Sequence, residues 1–401
     1  MRRPMRPRPA PEDMLTDALR LIRTDGVGPL TYRRLLARYA THEAALDALP
    51  RLAREGGRVT PPAIPSRAAV EQERAALDRL GGRFLLLGTP DYPPLLALLA
   101  DAPPILACLG DPGVLAGRAV ALVGGRNATA NGERIAETLA AELAQAGITV
   151  VSGLARGIDA AVHAGALAAG RTVAVVAGGL DCPYPPEHAD LQRRITEAGA
   201  VLAESPLGTT PQARHFPRRN RIIAGLALGV VVVEAALRSG SLITARLAQE
   251  AGREVFAVPG SPLDPRARGS NDLIRQGAQI TETAADILDN LPDHPDREGL
   301  ARAPLFARPR VPAAPAGPVP DPADPREVPP GEPPGDPPPE ILADARSRLV
   351  ALLGPAPTAV DDLLRRCQLP PAAALAALLE LEIAGRIETL PGQRVALLAG
   401  P

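Results

Sequence analysis

The 401-residue chain has no lysine and no tryptophan, and aromatic residues make up only 2% of it. All 44 basic residues are therefore Arg. With the excess of Ala, Pro and Gly, this reads as a GC-rich coding bias, so an Arg at a given position is weaker evidence for bidentate chemistry than usual. Cysteine is scarce as well. Cys108, Cys182 and Cys367 lie far apart with no paired metal spacing, which argues against a disulfide frame and for a reducing compartment. No window reaches the roughly 18 uninterrupted apolar residues of a membrane span. The basic start, Met1-Arg2-Arg3-Pro4, has no apolar core behind it, so it is not a secretory signal. A soluble, cytoplasmic protein without membrane contact is expected. The formal net charge of −1 removes a globally basic surface, so any nucleic-acid site must be a local patch.

What is present is enough for two or three domains, with 46% hydrophobic residues to fill their cores. The densest local charge is Arg214-His215-Phe216-Pro217-Arg218-Arg219-Asn220-Arg221, with four arginines and a histidine in eight residues. It runs directly into Ile222-Ile223-Ala224-Gly225, the start of an apolar run that reads as a buried helix. A cationic cluster at the mouth of a helix is a place to hold an anionic backbone, and Phe216 is the one aromatic residue embedded in it. With so few aromatics, Arg planes would have to supply much of any base stacking.

Residues 11–66 read as short helices. The turn Asp25-Gly26-Val27-Gly28-Pro29 feeds a helix in a pattern similar to a helix-hairpin-helix (SAM-like) module, whose turn can offer N–H groups to phosphate. A plain helical hairpin packed on its neighbour is the preferred reading. Residues 70–292 alternate between strand and helix, with strands at Ala119–Val123, Thr149–Val151, Thr172–Ala177, Ala200–Ala203, Gly229–Val233 and Glu254–Ala257. Continuous apolar strands between glycine-terminated helices predict an α/β fold, a Rossmann-like doubly wound parallel sheet covered on both faces. Its ligands should sit beyond the carboxyl ends of the strands. Residues 293–340 form a Pro-rich linker, whose stretch 304–339 holds fifteen prolines and is about 110 Å long if fully polyproline. Residues 341–398 have the order of a winged helix. Its third helix, Ala372–Ala384, is rich in Ala and Leu and carries Glu380 and Glu382 but no Arg, unlike a DNA-reading helix. A protein partner or a second copy of the chain suits it better.

Five strand-end loops can carry chemistry. Gly124-Gly125-Arg126-Asn127-Ala128-Thr129 lets the backbone approach an anion; Arg126 either holds a phosphate or makes a surface ion pair. The loop is not G-x-G-x-x-G and no acidic residue ends the next strand, so neither a dinucleotide nor another cofactor is expected. In the second loop Gly153 and Gly157 make a tight turn. Asp159 reads as an N-cap, His163 as a packed histidine, and Arg156 suits either a phosphate or a structural role. Tyr184 in the third loop reads as a proline–aromatic contact in preference to a base platform. The arginine cluster is the fourth. In the fifth, Ser239, Gly240 and Ser241 precede a helix and suit phosphate. Glu234 is the one carboxylate placed to be a catalytic base, and no acid or nucleophile pairs with it. No catalytic residue and no metal ligand is assigned.

These motifs together resemble the DNA-processing protein A (DprA/Smf) family. The likeness rests on Val123-Gly124-Gly125-Arg126, Ser152–Asp159 with His163, Phe216–Gly225, Val233-Glu234-Ala235, Ser239–Ala245 and Val258-Pro259-Gly260, and it spans about residues 84–290. It implies a homodimeric, non-enzymatic mediator of natural transformation. Such a protein binds and protects incoming single-stranded DNA and helps load the recombinase RecA onto strands covered by single-strand-binding protein. The DNA-binding set is then Gly124, Gly125, Arg126, Gly153, Arg156, Arg214, Phe216, Arg218, Arg219, Arg221, Ser239, Gly240 and Ser241. Asn220 and Arg221, next to the buried helix, also serve to fix their loop. The chain departs from the family at Gly125, where serine is expected, at Ala213, where a basic residue is, and at His188, where asparagine is usual. The rival class, a phosphoribohydrolase on the same sheet type, would need a Pro-Gly-Gly-x-Gly-Thr loop that the chain does not have.

Overall fold

A computed structural model describes residues 11–292, 338–390 and 394–398. The chain divides into two compact units: Met1–Leu19 with Pro65–Arg297, and Arg20–Ile64 with Glu298–Pro401. Most of the expected Pro-rich linker and the Pro391-Gly392 turn lie outside the described residues. Among the described residues, no helix is long and apolar enough to cross a membrane.

The first unit is built on a nine-stranded sheet. Two strands, β1 (Arg83–Leu86) and β2 (Ile105–Gly110), pair antiparallel at one edge, and β2 pairs antiparallel with β6 (Ala200–Ala203). The remainder is parallel and holds β3 (Ala119–Val123), β4 (Thr149–Ser152), β5 (Thr172–Val176), β7 (Gly229–Val232), β8 (Glu254–Ala257) and the two-residue β9 (Gln279–Ile280). In space the order is β1-β2-β6-β5-β4-β3-β7-β8-β9. Winding therefore proceeds from β3 outward in one direction as far as β6, then restarts on the other side of β3 with β7. The topological switch point lies between β3 and β7, where such sheets open a crevice.

Strand alternation explains the two-faced core. Ala121 and Val123 of β3 face a cluster with Ile222, Ile223 and Ala245, and Val120 and Leu122 face another with Leu139, Val162 and Ile287. In the central strands β3 to β7 neither face reaches water, so they are almost wholly apolar, and the hydroxyls of Thr149, Ser152 and Thr172 donate to backbone carbonyls inside. The helices on one face are α6 (Ala130–Gln145) and α7 (Ile158–Ala169); α9 (His215–Leu226) and α10 (Gly240–Glu250) cover the other. Helix α6 starts three residues earlier than its apolar pattern suggests, because the Thr129 hydroxyl accepts from the Gly132 N–H and caps it. Asp159 is not the N-cap of α7. Gly157 holds that position at φ 70°, and an added Cβ there would lie 2.5 Å from the Gly125 carbonyl oxygen. Only glycine satisfies both that backbone and that contact.

The second unit joins α2 (Pro29–Tyr39) and α3 (His42–Glu55) with the C-terminal tail. The tail has the helices α13 (Pro339–Leu352), α14 (Val360–Cys367) and α15 (Pro371–Ile383), and a small sheet in the order β10 (Thr358–Ala359), β12 (Arg394–Leu397), β11 (Ile387–Leu390). Helix α13 opens with Pro339 in its first turn, where a missing N–H costs nothing.

Candidate nucleic-acid interface

Four of the five loops meet at one cavity of about 390 Å³ at the carboxyl ends of β3, β4 and β5. Arg126 and Asn127 line it from the first loop, Gly153 and Arg156 from the second, and Cys182 and Tyr184 from the third; Phe216 and Arg219 of α9 complete it. One wall is a contiguous series of a guanidinium and two rings, the rings tilted 57° to one another. The Arg126 guanidinium lies 4.6 Å from the centre of the Phe216 ring, and the Tyr184 ring centre is 5.8 Å from that of Phe216. Arg126 and Tyr184 are exposed, and among the described residues no carboxylate pairs with Arg126. Its ion-pair alternative is therefore not seen. The surface offers π-faces to a base and an unneutralised guanidinium to a phosphate.

The helical phase of α9 separates the arginine cluster into different roles. Arg218 points outward and lines a second cavity of about 240 Å³ with His215, Ser205 and Thr209. Arg219, one residue on, is turned into the protein and is 6% exposed. Its Nη1 donates to the Gly153 carbonyl and, at 2.6 Å, to that of Val175, and its Nε donates to Asn220 Oδ1 at 3.2 Å. Burial lowers its pKa to about 10, offset in part by the nearby Asp159 carboxylate. Asp159 is itself pushed upward by burial and held down chiefly by Arg219. Arg219 therefore anchors α9 to the ends of β4 and β5 through Nη1 while still lining the cavity. Arg221 is also engaged within the protein: its guanidinium donates to the Asp101 carbonyl at 2.8 Å and to the Glu204 carboxylate. Arg214 sits at the exposed N-cap of α9.

Arg156 is exposed and forms an ion pair with Glu187 of the third loop. That pair joins the second loop to the segment carrying Tyr184. Ser239, Gly240 and Ser241 do not line the cavity. They form the N-terminus of α10, with the two hydroxyl oxygens 2.7 Å apart and Ser241 buried, and Asn220 Nδ2 donates to the Gly240 carbonyl at 3.2 Å. Gly124 and Gly125 form the loop over the switch point, and the Gly125 N–H donates to the Glu234 carbonyl at 2.7 Å.

Glu234 has no freedom to act as a base. Its carboxylate is buried and accepts from the Thr129 N–H at 3.1 Å and the Thr129 hydroxyl at 2.6 Å. His163 is fully buried and contacts Thr172 Oγ1 through Nδ1 at 2.8 Å, and burial lowers its pKa to about 3. Because the Thr172 hydroxyl donates to Val150 O, the proton between them belongs to Nδ1. Tyr184 belongs to the cavity, where the sequence favoured a proline contact. Asn127 and Cys182 line it without any signal of periodicity or charge that would have singled them out.

Comparison with known proteins agrees with this architecture. Residues 83–292 match the family described as DNA recombination-mediator protein A, residues 12–76 a DprA-like N-terminal HHH domain, and residues 332–393 a DprA winged helix domain. Protein Smf of Escherichia coli is 38% identical over 82% of this chain and 82% of its own length. The DNA processing protein DprA of Bacillus subtilis is 45% identical over 55% of this chain and 74% of its own. The X-ray structure of DNA processing protein A from Streptococcus pneumoniae superposes with a TM-score of 0.58 at 34% identity, covering 70% of this chain and 99% of that one. On the strength of its sheet, its strand-end loops and these matches, the chain belongs to the DNA recombination-mediator protein A family.

Proposed function

We propose that this chain binds single-stranded DNA at the carboxyl ends of β3–β5 and acts as a recombination mediator in natural transformation. The observation that carries the reading is the Arg126–Phe216–Tyr184 wall. It is a stacking platform with an unpaired cation, set at the mouth of a cavity whose floor is fixed by Arg219. Unpaired bases stack on such a platform in any sequence, whereas a duplex keeps its bases stacked inside. Arg126, Arg156, Arg214 and Arg218 supply the phosphate contacts in this reading. Phe216 supplies a stack, and Gly124, Gly125 and Gly153 let the backbone come close; Ser239–Ser241 lie outside the cavity.

The finer parts of the reading follow from the family resemblance: a homodimer, loading of RecA, indirect action on single-strand-binding protein, a cytoplasmic location, and binding in place of catalysis. The engagement of Glu234 with Thr129 supports the last, since it removes the one carboxylate an enzyme of this sheet type would use. The half-exposed Ile280 on the short edge strand β9 is a surface suited to a second copy. The test is binding of single-stranded and duplex oligonucleotides by the full chain from about 50 to about 200 mM salt. Single strands should bind more tightly, with log affinity falling against log salt by about 0.7 per phosphate neutralised. Affinity flat in salt, or equal for duplex, would sink the reading.

A further inference from the structure

In a winged helix the third helix is the one that enters a DNA groove. Here that helix, α15, is unusually buried. Ala374, Ala377, Leu378 and Leu381 fill the winged-helix core. Ala373, Leu379, Glu380 and Ile383 are not part of that core, yet each is at most 2% exposed. Arg346 of α13 donates to the Glu380 carboxylate at 2.7 Å, and the C-terminal end of α15 faces α2, α3 and the turns that flank them, which lie in the same compact unit.

The contacts are specific. Arg34 of α2 donates to the Glu382 carboxylate at 3.2 Å. Arg58, just beyond α3, donates to the Ile383 carbonyl at 3.4 Å and pairs with Asp25 at 2.9 Å. A guanidinium at the C-terminal carbonyls of α15 complements the helix dipole. Gly56, the C-cap of α3, comes so close that an added Cβ would lie 2.1 Å from the Glu380 carbonyl oxygen and 2.7 Å from Ala384 Cβ. Gly26, in the turn that a helix-hairpin-helix would present to phosphate, faces the Ile383 carbonyl at 3.5 Å from its ideal Cβ position. That turn therefore packs beside the carbonyl end of α15, and carbonyl oxygens repel phosphate.

We propose that the winged helix is a docking module for the chain's own N-terminal helices. The two form one composite domain in which each covers the surface the other would use for nucleic acid. The alanine-rich composition of α15 follows directly: small side chains let α3 approach to backbone contact, and an Arg would have no space or solvent. The domain is a clasp between sequence-distant parts of the chain, and DNA binding is left to the strand-end loops.

A specific protease site inserted in the Pro-rich stretch, between residues 304 and 337, allows the full protein to be cut after folding. After cutting, the C-terminal piece should co-elute with the remainder at micromolar concentration. Gly56→Glu should release it, because the backbone at Gly56 (φ −71°) accepts any residue and only the contact with α15 is lost. As a guard against simple misfolding, Arg34→Glu should weaken retention several-fold, and Arg34→Glu with Glu382→Arg should restore it. Single-strand affinity should stay within about twofold throughout. Separation of the wild-type pieces on cutting, or full retention by both Gly56→Glu and Arg34→Glu, would overturn the proposal.

Discussion

Glu234 and Thr129 lie 105 positions apart, and the Glu234 carboxylate takes both the N–H and the hydroxyl proton of Thr129. This contact bridges the loops after β7 and β3, the two strands on either side of the switch point. The same glutamate accepts from the Gly125 N–H through its backbone carbonyl, so one residue sets both ends of the loop that carries Arg126. Glu234→Ala should leave the Thr129 N–H unsatisfied and destabilise the sheet unit by about 1–3 kcal/mol. It should also weaken single-strand binding non-additively with Arg126→Ala, because both changes act on one loop. Glu234→Gln keeps an acceptor for the N–H and should recover part of the loss. Strictly additive binding effects in the double-mutant cycle would show that Glu234 acts elsewhere.

Charge reversal at Arg126 (Arg126→Glu) should weaken binding for every single-strand sequence tried. Phosphates are common to all of them, so a loss confined to some sequences would contradict a phosphate role.

Replacing Phe216 with Ala should cost about 1–3 kcal/mol of single-strand affinity, the value of one stack. Since the Arg126 guanidinium rests on the Phe216 ring, the two substitutions should not add. An unchanged affinity in fluorescence anisotropy would return Phe216 to a packing role.

Arg219→Ala should behave as a core mutation. It removes a buried cation from the Gly153 and Val175 carbonyls and leaves Asp159 without its counter-charge, a change that typically costs about 3–5 kcal/mol. Thermal unfolding should show the loss. A protein of normal stability whose salt slope alone became shallower would mark Arg219 as a phosphate ligand after all.

Acid should weaken the sheet unit through His163. Its folded pKa, about 3, lies below its ordinary value of 6.5, so between these limits the unfolded chain binds the extra proton. Stability is then fully present above pH 6.5 and declines as pH falls, by at most about 1.4 kcal/mol per pH unit. His163→Gln, which keeps a polar partner for Thr172, should flatten that part of the stability profile. Melting curves that fall in parallel for both proteins would assign the acid sensitivity to other groups.

The sheet was legible because its strands are apolar on both faces and its helices end in glycine, a pattern with few alternative folds. The strand-end position of the cavity followed from topology, since crevices of wound sheets open at strand ends. The roles of neighbouring arginines were not legible. Arg218 and Arg219 are chemically identical in the sequence, and only the rotation of α9 sends one to solvent and the other to the carbonyls of Gly153 and Val175. Tyr184 was undervalued because its partner, Phe216, is more than thirty residues away. The missing charge on α15 was legible, but the identity of its partner was not. Gly56 and Gly26 read as ordinary turn residues until their distance to the helix carbonyls is known.

The anchoring of Arg219 also bears on how a strand is captured. The helix that carries Phe216 is pinned to the ends of β4 and β5, so on the proposed reading the wall does not have to be ordered at the moment of contact. Capture on a wall already in place loses little conformational entropy in the protein. The association rate should then be set by electrostatic encounter with the guanidinium-rich rim, and the lifetime of the complex by the number of bases stacked.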